Sequence, residues 1–150
     1  MKNILFVSHS AELNGAELML IQTLERIDRA RFKSILVIPC HGALEKHANK
    51  MGIEVIKVSM KWWLSNRAYI WRQPFAWIWN IKSITTMINI IRSRKIDLVF
   101  SNSAVAFSGA LAACICRIPH IWLLHEILAK DNIQIWCLFG KRFLIKFITA

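Results

Sequence analysis

The stretch ILFVSHSAELNGAE, residues 4–17, decides the fold of this chain. It opens inside an apolar run, residues 3–7, that has no polar alternation and therefore predicts a strand buried on both faces. From Gly15 onward, apolar residues such as Leu20 and Leu24 recur at helical spacing, which predicts a helix after the intervening loop. A buried strand followed by a helix is typical of α/β proteins with a parallel sheet.

Short apolar runs and helical patterns continue to alternate along the chain. The predicted strands are residues 3–7, 34–39, 53–58, 96–100, 120–124 and 143–149. The predicted helices begin at Gly15 and continue with residues 43–51, the segment after Pro74, residues 104–117 and residues 133–140. Six strands alternating with helices predict an α/β fold with a doubly wound, mostly parallel sheet of Rossmann-like topology.

The helix after Pro74 has the clearest period in the sequence, whereas residues 59–74 have none and are expected to form a loop. Helical spacing predicts that one face of this helix is buried. That face is expected to hold Trp77, Ile81, Ile84, Ile88 and Ile91.

Length and composition limit the possible functions. With 150 residues the chain has room for about one domain. A hydrophobic content of 55% excludes a disordered chain, while 20 Lys and Arg against 9 Asp and Glu leave a net charge of +11. Such a charge suits nucleic acid, an anionic membrane surface or a phosphorylated small molecule. Residues 98–116 are uncharged but contain four polar residues, so a strand, a loop and a buried helix are favoured over a transmembrane helix.

The basic charge is concentrated in residues 55–96, which contain eight basic residues, no acidic residue and five of the seven tryptophans. Stacking on single-stranded nucleic acid would use the same residue types, but no RNA-binding signature accompanies them, so nucleic acid is disfavoured. The ordinary alternative is a partly buried set of tryptophans with solvated charges. We favour a mixture, with Trp77 in the core and an anionic membrane surface as the partner of the loop. The expected membrane contacts are Trp62, Trp63, Arg67, Trp71 and Arg72.

Candidate binding residues follow the predicted strands, because ligands of such sheets bind at the carboxyl ends of the strands. Asn14 and Gly15 stand at a helix start that suits a diphosphate, unless Gly15 only permits a tight turn. Asn102 and Ser103 follow the fourth strand, where the alternative is a cap for the next helix. His125 and Glu126 follow the fifth, where the alternative is a surface pair without a task.

Several cofactor classes are disfavoured by the motifs that the chain lacks. There is no GxGxxG sequence, no Walker A sequence and no zinc-ligand spacing among the cysteines. No Asp-x-Asp sequence occurs either. We therefore expect neither a cofactor nor a metal.

Three segments, residues 4–17, 96–122 and 123–126, together resemble the N-terminal domain of the GT-B glycosyltransferases of the GT4 type. The first is similar to the family's strand, loop and Gly-Gly-Ala-Glu helix start. The second, IDLVFSNSAVAFSGALAACICRIPHIW, is similar to its strand, small-residue helix and Gly-Ile-Pro turn. The third, LLHE, is similar to the His-Glu or His-Asp pair after the next strand.

This resemblance implies retaining transfer of a sugar from a nucleotide-diphosphate donor to a lipid-linked or polysaccharide acceptor, without a metal. Carried over by position, Asn14 and Gly15 would bind the donor diphosphate. Asn14 replaces the family's first glycine; it tolerates the same left-handed backbone but brings a side chain towards the phosphates. His125 would be the catalytic histidine of the cleft. Asn102, Ser103 and Glu126 would bind the acceptor or the sugar.

The resemblance also implies an organisation and a location. Residues 1–150 would form the acceptor-side N-terminal domain of a truncated two-domain enzyme, without its C-terminal donor domain, and would be inactive alone. The protein would be cytoplasmic and peripheral on the inner face of the membrane. Two alternatives stay open, namely a non-catalytic module that binds membrane or a partner through the tryptophan-rich basic segment, and another GT-B enzyme such as a sugar-nucleotide epimerase.

Overall fold

Strands and helices alternate along the part of the chain that the computed structural model describes, which comprises residues 1–61, 71, 73–105 and 107–125. The strands there are β1 (Lys2–Ser8), β2 (Phe32–Ile38), β3 (Glu54–Lys57), β4 (Leu98–Asn102) and β5 (His120–Leu123). The helices there are α1 (Gly15–Arg26), α2 (Ala43–Lys50), α3 (Gln73–Ser93) and α4 (Phe107–Cys116).

The five strands form one parallel sheet in the order β3-β2-β1-β4-β5. This is the strand order of Rossmann-like sheets, so the predicted doubly wound fold is confirmed. The predicted elements in this range are present with boundaries within three residues of the prediction. The helix predicted at residues 133–140 and the strand predicted at 143–149 lie outside the described residues.

The membrane-spanning alternative for residues 98–116 is wrong. This stretch is divided between β4 and the ten-residue helix α4. Among the described residues, no helix combines the length and the hydrophobicity that a membrane crossing requires.

Burial of β1 on both faces explains its unbroken apolar sequence. Leu5 and Val7 pack on one side of the sheet with residues of α3 and α4, such as Met87 and Ala112. Ile4 and Phe6 point to the other side, where α1 and α2 supply residues including Leu20 and Leu44. Because successive side chains of a strand alternate between faces, a strand with helices on both sides needs apolar residues at every position.

Helix α3 is buried along a different stripe from the one predicted. Ile84 and Ile91 are buried as expected, but Ile81 is 59% exposed. The side chain of Trp77 lies outside the described part of the structure. The buried stripe consists of Ala76, Asn80, Ser83, Ile84, Met87, Ile90 and Ile91. Apolar residues occur on both sides of the first half of α3, so periodicity alone did not identify the buried side.

Helix α4 lies unusually close to the sheet, and its small residues make this possible. A Cβ on Gly109 would lie 2.9 Å from Ser101 Oγ and 3.0 Å from Val7 Cγ2. Ala112 and Ala113, one turn further along α4, are fully buried. The predicted small-residue helix that packs closely on the sheet is therefore confirmed.

Replacing Gly109 by Ala is expected to lower the free energy of unfolding by about 1–3 kcal/mol, because the added methyl group overpacks the helix–sheet contact. Elsewhere in a helix the same change stabilises by roughly 1 kcal/mol, so the sign of the effect is informative. Urea denaturation measures it. Gly15→Ala is the control, since nothing lies within 4 Å of an added Cβ there. A Gly109→Ala variant as stable as the wild type would contradict the close contact.

His120 gives the fold a pH dependence. Burial lowers the pKa of His120 from 6.5 to about 4, because desolvation disfavours the charged imidazolium. Between these values the unfolded chain binds a proton that the folded chain does not bind. The free energy of unfolding is therefore expected to fall as the pH decreases from about 6.5 to about 4.

The free energy of unfolding is expected to decrease less with falling pH in His120→Gln than in the wild type. Glutamine retains a polar group near Ser101 Oγ, which lies 2.9 Å from His120 Nε2 in the wild type. Chemical denaturation at several pH values measures the slope for both proteins. His47→Gln, at an exposed position, serves as the control. Equal slopes for wild type and His120→Gln would show that burial of this imidazole is not responsible.

Candidate functional site

The candidate site lies where the carboxyl ends of β1 and β4 meet. Strands β2 and β3 lie on one side of β1, and β4 and β5 lie on the other side. The direction of winding therefore reverses between β1 and β4. Ser8 pairs with Asn102 at this edge. Open α/β sheets bind ligands in the crevice formed at such a reversal.

Asn102 connects three segments at this edge, although its side chain is fully buried. Its Nδ2 donates to the carbonyl oxygen of Ala16 at 3.1 Å, in the first turn of α1. Its Oδ1 lies 2.8 Å from His125 Nε2, and its backbone oxygen lies 3.2 Å from His9 Nδ1. The structure therefore brings the predicted residues Asn102 and His125 together, beside the helix start predicted to bind the donor.

These contacts determine which ring nitrogen carries the hydrogen in His125 and in His9. The carbonyl of Ala16 can only accept, so the Asn102 amide nitrogen faces it and Oδ1 faces His125. His125 Nε2 must then carry a proton, and the neutral ring has its lone pair on Nδ1. By the same reasoning His9 is protonated at Nδ1, which donates to the Asn102 carbonyl.

Glu17 is a buried carboxylate beside His9. Its Oε1 accepts a 3.2 Å hydrogen bond from Ser8 Oγ and lies 3.7 Å from His9 Nδ1. Its Oε2 is buried and has no hydrogen-bond partner in the described part of the chain. A buried carboxylate is costly unless a charge or hydrogen-bond donors compensate it, and the hydroxyl of Ser8 is such a donor.

Glu17 ends the sequence stretch of residues 4–17, but no role was predicted for it. A signal for its burial exists, since Glu17 precedes Leu20, Ile21 and Leu24 at the spacing of one helix face. All four residues are buried. A carboxylate on an apolar stripe, two residues beyond the predicted binding residue Gly15, indicates a site residue.

The start of α1 is open to an anion. Asn14 caps the helix with extended backbone geometry, φ −94°, and its side chain makes no cap hydrogen bond. Space around Gly15 is open as well. The first-turn N–H groups of a helix carry a partial positive charge and bind anions when they are accessible.

Asn14 does not use the left-handed backbone that an asparagine tolerates, because as the capping residue it takes an extended conformation before the helix begins. Gly15 has no positive φ either, so a tight turn does not explain this glycine.

Ser103 occupies a strained turn directly after β4. It is buried, with φ +106°, and its N–H donates to the carbonyl of Leu123 at 2.8 Å. Its Oγ accepts from the N–H of Val105 at 3.3 Å, which is a contact within the turn and not a cap of α4, because α4 begins at Phe107. Positive φ at a residue other than glycine costs roughly 1–3 kcal/mol and is concentrated at functional sites. The acceptor-binding roles of Ser103 and Asn102 stay predictions.

The loop after β1 is held in place by the start of α2. Leu44 N–H donates to the carbonyl oxygen of Ala11 at 2.9 Å. Ala11 also packs so closely on Gly42 that a Cβ at Gly42 would lie 2.4 Å from the Ala11 carbonyl oxygen. This contact positions the loop that leads to Asn14 and Gly15.

A charged cluster lies at the same edge of the sheet, beyond β2 and β3. Glu45 accepts hydrogen bonds from Lys57 Nζ at 3.0 Å and faces His41 Nδ1 at 2.8 Å. The hydrogen bond from Lys57, followed by that from His41, lowers the pKa of Glu45. The cluster is exposed, so it contributes local charge rather than stability.

A cavity of about 530 Å³ opens at the opposite edge of the sheet, near the amino ends of β1, β2 and β3. Its lining includes Phe32, Ser34 and Ile53. It is remote from both site histidines, and we assign the candidate site to the carboxyl edge.

The remaining predicted residues are only partly covered by the structure. Glu126, Trp62, Trp63, Arg67 and Arg72 lie outside the described residues. Trp71 is described and is 63% exposed. Within the described ranges, no three His, Cys, Asp or Glu side chains come together as metal ligands would.

Solved structures share this fold. HepE from Anabaena, in complex with UDP-glucose, is 23% identical, with a TM-score of 0.65, and the match covers 98% of this chain and 35% of HepE. MurG from Acinetobacter baumannii is 16% identical, with a TM-score of 0.65 over 87% of this chain and 37% of MurG. A glycosyltransferase from Rickettsia africae is 20% identical, with a TM-score of 0.59 over 87% of this chain and 32% of its own.

The chain thus spans about a third of the length of the structures that it matches. No protein-family model matches the sequence, and no curated protein does so either. At these identities the likeness concerns the fold. The chain has the Rossmann-like α/β fold of one half of a GT-B protein.

Asn102→Ala is expected to lower the free energy of unfolding by about 1–3 kcal/mol, because it removes the hydrogen bonds that the fully buried Asn102 side chain makes to the Ala16 carbonyl and to His125. It also removes the acceptor that fixes the His125 tautomer. Denaturation measures the first effect, and the ring ¹⁵N shifts of His125 measure the second.

Asn89→Ala, at an exposed position of α3, is the control and is expected to change stability by no more than about 0.5 kcal/mol. Unchanged His125 ¹⁵N shifts in Asn102→Ala would contradict the orienting role of Asn102.

Proposed function

We propose that this chain is the N-terminal, acceptor-side domain of a retaining glycosyltransferase of the GT4 type. It would act in transfer of a sugar from a nucleotide-diphosphate donor to a lipid-linked or polysaccharide acceptor. One observation carries the proposal: His125 is oriented by Asn102 next to the open start of α1, at the point where the winding of the sheet reverses. A histidine and an anion-binding helix end are the two groups that this chemistry needs from one domain.

The donor diphosphate is assigned to the start of α1. Asn14 and Gly15 leave the first-turn N–H groups uncovered by a side-chain cap, so the phosphate oxygens would accept from them. The HepE structure contains UDP-glucose, which makes this the donor to test first. A C-terminal GT-B domain would supply the remaining donor contacts, and closure between the domains would exclude water.

His125 is proposed as the catalytic residue that contacts the transferred sugar, with Asn102, Ser103 and Glu126 on the sugar or acceptor side. Neutral His125 has its lone pair on Nδ1, because Nε2 donates to Asn102. Because the folded protein already holds the ring in one tautomer, no free energy is spent on fixing that tautomer during the reaction. The reaction requires neither a metal nor another cofactor in this proposal.

The location proposed is cytoplasmic and peripheral on the inner face of the membrane, where a lipid-linked acceptor is found. The anionic membrane surface is the partner proposed for Trp62, Trp63, Arg67, Trp71 and Arg72, and nucleic acid is not a proposed partner. The exposure of Trp71 supports this assignment.

A non-catalytic module that binds membrane or a partner through the same segment is the second candidate. The buried site network disfavours it, since a surface module has no need for the Glu17, His9 and Asn102 contacts. A sugar-nucleotide epimerase is the third, and it would change the sugar without any acceptor.

Titration of UDP-glucose into the 150-residue chain, followed by calorimetry, tests the donor assignment. Gly15→Asp is expected to weaken binding by at least about tenfold, because a carboxylate would stand where the diphosphate binds. Lys33→Glu makes the chain more negative by two charges, against one for Gly15→Asp, but at the amino edge of the sheet, and it is expected to leave binding nearly unchanged.

Equal binding by wild type and Gly15→Asp would refute this donor site. GDP- and ADP-glucose are titrated in parallel to identify the nucleotide. Sugar transfer by the 150 residues alone would contradict the need for a second domain, and conversion of the donor sugar without an acceptor would favour the epimerase.

A further inference from the structure

The first half of α3 has a second apolar face that points away from the core. Phe75, Ile78 and Trp79 are 62%, 66% and 68% exposed, and Lys82 continues the same stripe at i, i+3, i+4 and i+7 spacing. Ile81 lies next to this stripe and is also exposed. These five residues are called the outer face of α3.

Exposed apolar side chains of this size are unusual when they are grouped. Elsewhere in the described part of the chain, large exposed apolar residues are more dispersed, for example Leu18 and Met19 on α1 and Ile115 on α4. Single exposed apolar residues need no explanation, whereas a contiguous patch with two aromatic rings marks an interaction surface.

The outer face is fixed to the body of the domain through Asn80, on the opposite side of the helix. Asn80 is fully buried, and its Nδ2 donates at 2.8 Å to the carbonyl oxygens of Lys61 and Ala76. Its Oδ1 accepts from the N–H of Lys61 at 3.0 Å and from the hydroxyls of Ser83 and Ser108. Rotation of α3 to bury the outer face would break the bonds to Lys61 and Ser108, which lie outside the helix, so the exposure is a stable property of the fold.

The topology places the outer face at the same edge of the sheet as the candidate site. Helix α3 connects the end of β3 to the start of β4, so it runs antiparallel to the strands and begins at their carboxyl edge. Asn80 confirms this, because its partners Lys61 and Ser108 follow the carboxyl ends of β3 and β4. A surface that binds the first turns of α3 would therefore adjoin the site.

The charge around the outer face is basic, which indicates an anionic partner. Residues 55–96 contain no acidic side chain, and Lys61 and Lys82, at the same end of α3 as the outer face, are exposed. Aromatic rings next to lysines suit the boundary between lipid headgroups and acyl chains, where the rings are buried and the ammonium groups reach anionic phosphates.

We propose that the outer face of α3 binds the surface of a bilayer that contains anionic lipids. This inference deepens the membrane partner of the proposed function and extends the contact from the loop after β3 to a described helix. Its test measures lipid binding without any sugar transfer, so it can fail while the proposed donor site stands.

Co-sedimentation of the 150-residue chain with vesicles tests the proposal, using phosphatidylcholine alone and phosphatidylcholine mixed with phosphatidylglycerol. We expect binding to the mixed vesicles that decreases at high salt. The double variant Ile78→Ser and Trp79→Ser is expected to bind at least about tenfold more weakly. Lys82→Gln, which keeps the length of the stem, is expected to lose about fivefold.

The matched control is the double variant Leu18→Ser and Met19→Ser, which removes two exposed apolar residues from α1, on the opposite face of the sheet. It is expected to bind like the wild type. Circular dichroism establishes that each variant is folded, and Lys82→Gln provides an independent test if the double variant of α3 does not fold.

The proposal would be overturned by no binding of the wild type to anionic vesicles, by equal loss of binding in the α1 control, or by unchanged binding in both α3 variants. If the wild type is a dimer that Ile78→Ser and Trp79→Ser dissociate without loss of vesicle binding, the outer face belongs to a second copy of the chain. That result would also overturn the proposal.

Discussion

The pairing of β1 with both β2 and β4 is the constraint on which the rest of the structure depends. It makes β1 the central strand, which requires apolar residues on both of its faces and helices on both sides of the sheet. The same pairing brings Ser8 beside Asn102, so the ends of two strands that are distant in sequence supply one network. The winding of the chain thereby produces the crevice, and the polar residues at the strand ends determine its chemistry.

Two groups in this crevice act on an anion in opposite directions. The start of α1 attracts an anion, while buried Glu17 in the first turn of the same helix repels one. His9 lies between the two effects, within 3.7 Å of the carboxylate and bonded to the Asn102 carbonyl. The partial positive charge of the helix start and the Glu17 carboxylate therefore act in opposite directions on an anion at this edge, and His9 links the carboxylate to the end of β4.

Sequence patterns predicted the strands and helices of the described range because burial imposes a period on the residues of each element. They also predicted that residues after the strands would share one edge, and Asn102 and His125 do so. The orienting role of Asn102 was not predictable, since it depends on a contact with Ala16 more than 80 residues away. The outer face of α3 was missed for a different reason: apolar residues on two sides of a helix give two equally good candidates for the buried side, and only packing against α4 distinguishes them.

The contact between Gly42 and Ala11 joins the loop after β1 to the loop after β2. Gly42 belongs to the loop after β2, and its missing side chain leaves the space that the loop after β1 occupies. Neither loop can therefore be lengthened, shortened or exchanged alone. A library that diversifies only residues 9–15 would therefore explore conformations that the neighbouring loop forbids. Productive changes in ligand preference at this edge require coupled substitutions in both loops, and transplanting the site to another Rossmann-like sheet requires moving the two loops as one unit.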